Sequence, residues 1–226
     1  MPSLPIGIAD NAKPWTGQPD AEISFTASPS TTANNTVYTF SNASIGAADT
    51  NRVVAVAVFA NGLVGDFVGV TIGGITATRA TSFFSSETVG NAAGIFYANV
   101  PTGTTATIVI TCNDEAGRCA TAVYRIIPGY GKTVTFDTAG AYASSIGENE
   151  VIGGVSVWGS VTPSGSTAYT VRRNGSSLTT SISGVYSGSS LIKSGKFAVT
   201  GSANAQVEAT YSSTSNNIIL LCATWR

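Results

Sequence analysis

From residue 22 onward the apolar positions alternate with polar ones or run together in short blocks, and helical spacing is absent over any long window. The pattern predicts strands at Val37–Phe40, Arg52–Phe59, Phe67–Ile72, Ile75–Thr81, Ala93–Asn99, Thr105–Cys112 and Arg118–Ile126. It continues with Thr133–Asp137, Glu150–Trp158, Ala168–Arg172, Leu178–Ile182, Gly195–Val199, Gln206–Tyr211 and Asn217–Trp225. These segments are rich in Val, Ile, Thr and aromatic residues, which pack well on a pleated surface. Gly, Asn, Ser and Asp separate them and supply the backbone freedom that tight turns need. Gly73-Gly74 and Asn174-Gly175 read as hairpin turns. In Arg52–Phe59 both faces are apolar, with Val54, Val56 and Val58 on one and Val53, Ala55, Ala57 and Phe59 on the other. Such a strand is expected at the centre of a sheet covered on both sides.

The strands repeat. Val56, Val58 and Phe59 match Val155, Val157 and Trp158; Val70-Thr71-Ile72 matches Tyr169-Thr170-Val171; Val100, Ala106 and Ile108 match Val199, Ala205 and Val207. Each pair is 99 residues apart (155−56, 169−70, 207−108). At the ends the offset drifts: Thr39-Phe40 matches Thr135-Phe136 at 96 (136−40), and Tyr124-Arg125 matches Trp225-Arg226 at 101 (225−124). A near-constant offset with slips in loops is what a duplicated domain produces. The expected architecture is therefore all-β: two tandem related β-sandwich domains, residues 22–130 and 131–226, each of about seven strands. Jelly-roll and immunoglobulin-like orders both fit. The second copy of the central strand carries Gly153, Gly154 and Trp158, which predicts a different packing partner on its outer face.

Residues 1–21 form no regular element in this reading, because Pro2, Pro5, Pro14 and Pro19 break helices and central strands. They are either a disordered terminus or an extended arm laid on a neighbouring subunit. Leu4, Ile6 and Trp15 are the anchor points of the second reading, and Trp15 weighs toward it.

Charge changes the picture most. Only 10% of the residues are charged and the net charge is −1, against roughly a quarter charged in an ordinary soluble protein. Without clustered Lys and Arg, nucleic acid is not an expected partner. No apolar run reaches the ~18 residues of a membrane helix, so no membrane association is expected. The stretch Met1–Gly7 lacks the basic and apolar regions of a secretory signal, so synthesis in the cytoplasm of the producing cell is expected.

Candidate chemistry is sparse. There is no histidine, which removes the commonest general base and most zinc sites. Asp114-Glu115 beside Arg118, and Glu148 with Glu150, are read as solvated loop charges rather than as a carboxylate pair or a calcium site. No cofactor and no metal are expected, and the chain reads as a non-enzyme. Arg172-Arg173 flanks a turn and reads as solvated. Phe83-Phe84, Phe96-Tyr97, Tyr124, Tyr130 and Tyr142 are candidates for a sugar platform or, more simply, for the core. In the Phe83-Phe84 doublet one ring must face outward, where it meets a loop, a domain or another subunit, which makes both candidates for partner binding. Cys112 and Cys119 flank the short connection Asn113–Arg118; if that is a hairpin, they can face each other and form a disulfide. The simpler reading makes all three cysteines small buried apolar groups, with Cys222 in the core. The alternative is an intermolecular bridge through Cys112 or Cys119.

Three stretches carry a resemblance: Arg52-Val-Val-Ala-Val-Ala-Val; Val70-Thr-Ile-Gly-Gly-Ile-Thr-Ala-Thr; and Val100-Pro-Thr-Gly-Thr-Thr-Ala-Thr-Ile-Val-Ile. Together they resemble β-sandwich domains of virion proteins from tailed bacteriophages. The resemblance covers residues 37–126 and, more faintly, the second copy. It implies a capsid decoration protein, a head or neck accessory protein, or part of a tail appendage. The implied partners are the major capsid protein or other virion proteins, with homo-oligomer formation and, in an appendage, a host glycan. It carries no catalytic residues.

Overall fold

The computed structural model describes residues 20–62, 65–84, 90–129, 135, 137–143, 145–148, 154–162, 169–186, 190–198, 205–211 and 218–226. Among the described residues there are strands and turns and no helix. The first ten strands are β1 (Glu22–Ala27), β2 (Ser30–Thr31), β3 (Asn35–Ser44), β4 (Val53–Asn61), β5 (Phe67–Ile72), β6 (Ile75–Thr76), β7 (Thr78–Phe84), β8 (Asn91–Asn99), β9 (Thr105–Ala116) and β10 (Arg118–Ile127). The remaining nine are β11 (Asp137–Ala143), β12 (Ser145–Glu148), β13 (Val155–Val161), β14 (Tyr169–Arg173), β15 (Ser176–Ser177), β16 (Thr180–Tyr186), β17 (Ser190–Ala198), β18 (Ala205–Tyr211) and β19 (Ile218–Trp225).

They form four antiparallel sheets. Sheet A has the order β1-β10-β4-β8-β7, with β2 also on β10, and sheet B has β3-β9-β5-β6. Sheet C has β11-β19-β13-β17-β16, and sheet D has β12-β18-β14-β15. The second set repeats the strand order of the first. The expectation for Arg52–Phe59 is met: β4 is the middle strand of sheet A, and every residue in it is buried.

Three apolar layers hold the sheets together. Tyr38, Val54, Val56, Val58, Ile72, Phe96 and Ile108 pack between sheets A and B. Trp158, Tyr169, Val171, Val207, Leu220 and Cys222 pack between sheets C and D. The third layer joins the outer faces of A and C: Val53, Ala55, Ala57, Phe59, Ile95 and Tyr124 meet Val155, Val157, Ile219, Leu221 and Trp225. The molecule is thus a stack of four sheets in the order B, A, C, D. This corrects the expectation that β13 has a different outer partner from β4. Each is covered by the other's sheet, and Trp158 points inward, toward sheet D.

The pairing registers also correct the repeat. Tyr124 pairs with Ala55 and Trp225 with Val155, so β4 and β13 correspond at 100 (155−55), not 99. The difference matters because one residue of slip exchanges the two faces of a strand. Val56 lies in the layer between A and B, whereas Val155 lies in the layer between A and C. The turns place β5 and β14 at 101: the Ala77 amide donates to the Val70 carbonyl, and Leu178 to Val171 (178−77, 171−70). Only β9 and β18 keep 99. Ile110 pairs with Val70, Ala209 with Val171, and 209−110 is 99. Phe40 pairs with Ile108, and Ile146 with Val207, so the counterpart of Phe40 is Ile146. Phe136 and Val199 lie outside the described residues.

Arg52 caps this arrangement. It is fully buried, and its guanidinium donates to the carbonyls of Val100, Gly46 and Thr102, each at 2.7 Å. Burial lowers its pKa, with Arg125 adding to the effect and Asp49 opposing it. Three main-chain oxygens replace the water the charge has lost.

Candidate interaction surfaces

The expected sugar platform does not form from most of its aromatic residues. Phe96, Tyr97 and Tyr124 are buried. Phe96 lies between sheets A and B, in edge contact with Phe67 at 5.8 Å. Tyr97 meets Trp225 edge-on at 5.6 Å across the A–C layer. Tyr124 crosses the same layer to Ser194 at 2.8 Å. The Ser194 hydroxyl donates to the Trp158 carbonyl at 2.7 Å, which leaves Tyr124 as donor to Ser194. Burial pushes the Tyr124 phenol up to about 12. Tyr142 lies on β11, and Tyr130 falls outside the described residues.

The Phe83-Phe84 doublet divides as its strand geometry requires. Both sit on β7, the edge strand of sheet A. Phe83 pairs with Ala93 and packs against the A–C layer. Phe84 pairs with Ala92 and is 43% exposed. The same strand takes part in a polar cluster that the sequence did not signal, because Asp66 precedes β5 of sheet B while Arg79 and Ser82 lie on β7 of sheet A. Arg79 donates to Asp66 and to the Phe67 carbonyl, and lies 5.6 Å from the Phe96 ring centre. The Ser82 hydroxyl donates to the same Asp66 carboxylate at 3.1 Å. The cluster ties the edge of sheet A to β5 of sheet B.

The cysteines are free thiols and all three are buried. The hairpin premise for a Cys112–Cys119 bridge fails, because the chain leaves sheet B with β9 and enters sheet A with β10. Both side chains point into the layer between those sheets. Burial raises the Cys112 thiol to about 11, with Asp66 adding to it, and raises Cys119 well above its ordinary value. Both are buried, so neither thiol is exposed to a second chain. Cys222 is in the core between C and D, as expected.

Asp114 and Glu115 are exposed at the far end of β9, followed by Arg118 at the start of β10. Glu148 ends β12, and Glu150 lies outside the described residues, as do Leu4, Ile6 and Trp15 of the N-terminal segment. Among the described residues no three His, Cys, Asp or Glu side chains are grouped to hold a metal ion. No described helix is long and apolar enough to cross a membrane. Arg172-Arg173 is more engaged than a solvated turn: Arg172 pairs with Glu208 in the sheet, and Arg173 lies 5.2 Å from the Phe197 ring centre.

The broad surfaces left are the outer faces of the two terminal sheets, and they differ. On sheet D, Arg172 and Glu208 stand side by side. On sheet B, the strands β3, β5 and β6 contain no charged residue, and in β9 only Asp114 and Glu115 do. Comparison with known proteins gives no match to a family profile, to a curated protein or to a solved structure.

Proposed function

We propose that this chain is a non-enzymatic structural protein of a tailed-phage virion, made in the host cytoplasm and acting as a capsid decoration protein on the assembled shell. The reading rests on the resemblance of residues 37–126 to such β-sandwich domains. The observation that supports it most is the four-sheet stack itself. Sheets A and C spend their outer faces on each other. That leaves the outer faces of sheets B and D for contact with neighbours, and the strands of sheet B carry charge only at Asp114 and Glu115. Tandem related sandwiches, residues 22–130 and 131–226, account for the shared strand order. Contacts of this kind are individually weak and gain strength by repetition on a symmetric lattice.

Immunogold labelling of intact particles with antibody to this chain tests the reading. Label spread over the head is the expected result. Label confined to the tail or neck moves the protein to the appendage class, where Phe84 is the first residue to test for glycan contact. Absence of label from particles overturns the virion assignment.

A further inference from the structure

We propose that the outer face of sheet B is a self-association surface, on which a second copy of this chain docks by the same face. The pairing registers define that face. Thr39, Val109, Thr71 and Thr76 form one row across its four strands, and Val37 and Thr111 stand in the next row. These side chains are small and mostly β-branched, and none carries a charge. Val37 is 47% exposed, and Val68, the extra residue of the bulge in β5, is 65% exposed. A sheet face turned permanently to water normally carries charge. Sheet D, its counterpart at the other end of the stack, does so with Arg172 and Glu208.

The charge distribution selects the occupant. A neutral face offers nothing to an acidic or basic partner, but it can meet itself without opposing like charges. Among the described residues the carboxylates beside this face, Asp114 and Glu115 on β9 and Asp66 just before β5, lie at one end of the sheet, and Asp66 is paired with Arg79. About a twofold axis through Val109, that end of one copy lies over the Thr105 end of the other, so the acidic ends stay apart. The chain already contains one union of this type, since A and C meet through faces of Ala, Val and Phe. Paired sheets stack about 10 Å apart with interleaved side chains, which suits Thr and Val.

The size of the face sets the strength. Three strands about 4.8 Å apart with roughly six residues each at ~3.3 Å, together with the short β6, cover on the order of 300 Å² per copy. The total of ~600 Å² is below the ~1,200 Å² of a stable interface. Association is therefore concentration-dependent. It stands whether or not the protein resides in a virion.

Sedimentation velocity of the full chain from ~10 μM to ~1 mM, the range of weak affinities, tests it. The weight-average sedimentation coefficient should rise from the monomer value toward the dimer value. Val109→Lys in the middle strand and Thr39→Lys on the exposed edge strand should each hold it at the monomer value. Thr170→Lys on sheet D should leave the rise unchanged. Folding of each variant is checked by its thermal transition, and either sheet B variant suffices. A monomer at every concentration overturns the proposal. So does a dimer that both sheet B variants retain, because another face then makes the contact. A monomer whose binding to particles is abolished by Val109→Lys also overturns it, and assigns the face to a different protein.

Discussion

Gly195 is a position where one methyl group decides whether two strands fit. A Cβ there would meet the Thr179 carbonyl and lie 2.7 Å from the Trp158 ring. The carbonyl is main chain and the ring is fully buried, so neither can move aside at little cost. Gly195→Ala is expected to destabilise the protein by roughly 1–3 kcal/mol, the range of overpacking in a tight core, measured as a lowered urea midpoint. Gly147→Ala, where nothing lies within 4 Å, is the control and should leave the midpoint unchanged. The buried titratable groups make a second prediction at this scale. Tyr124 has an ordinary pKa of 10.0 and is raised to about 12 by burial. The folded state therefore keeps its proton where the unfolded state has lost it. Its stabilising effect is complete below pH 10 and disappears as pH rises through about 12. Cys112, raised from 9.0 to about 11, starts the same decline lower. Thermal melting should stay flat up to about pH 9 and fall above it. Tyr124→Phe should flatten the upper part of that fall, and an unchanged curve for this variant would assign the decline to other groups. The thiols give a third prediction. Cys112, Cys119 and Cys222 are buried, and a buried thiol held above its usual pKa is a poor nucleophile. The native chain should react negligibly with a thiol reagent at pH 8, and all three should react on unfolding.

At the scale of the strand, β4 shows both what the sequence reveals and where it stops. Its unbroken apolar run made it legible as a central strand covered on both faces, and every residue in it is buried. Periodicity does not say which face meets which layer. The match of Phe59 to Trp158 looked sound because both are large aromatics next to valines. Yet Phe59 points to sheet C and Trp158 to sheet D. The register that aligns the faces pairs Val58 with Gly94 and Trp158 with Gly195. Gly94-Ile95-Phe96 and Gly195-Lys196-Phe197 share that place at 101 (195−94) and were the better sequence signal. Strands with mixed or short patterns escaped. β1 begins Glu22-Ile23-Ser24-Phe25, and its burial does not alternate cleanly. β12 has only four residues, one of them a glycine. Ile75–Thr81 read as one strand, but it changes sheet at Ala77. The cysteine pair failed for a related reason, since the short connection from β9 to β10 crosses between sheets instead of turning within one.

For the whole molecule, the layer between A and C determines how the protein unfolds. Phe59 lies against Gly159, where a Cβ would be 3.1 Å from its ring, and Tyr97 stacks edge-on with Trp225. Asn91 reaches across to the Thr162 carbonyl at 3.3 Å, and Tyr124 to Ser194. Neither pair of sheets can keep this layer buried alone. Separating them exposes the apolar outer faces of β4 and β13, the middle strands of sheets A and C. Two sandwiches joined by a small polar contact would melt independently. Here the layer is as apolar as the two cores beside it, so calorimetry should show one transition, with the van't Hoff enthalpy equal to the measured enthalpy. Phe59→Ala removes a ring from the middle of the layer, which should cost about 3–5 kcal/mol. It should lower that single transition and not split off a second. Two transitions in the parent chain, with Phe59→Ala moving only one, would mean that the sandwiches fold as separate units and that the A–C layer is too weak to couple them.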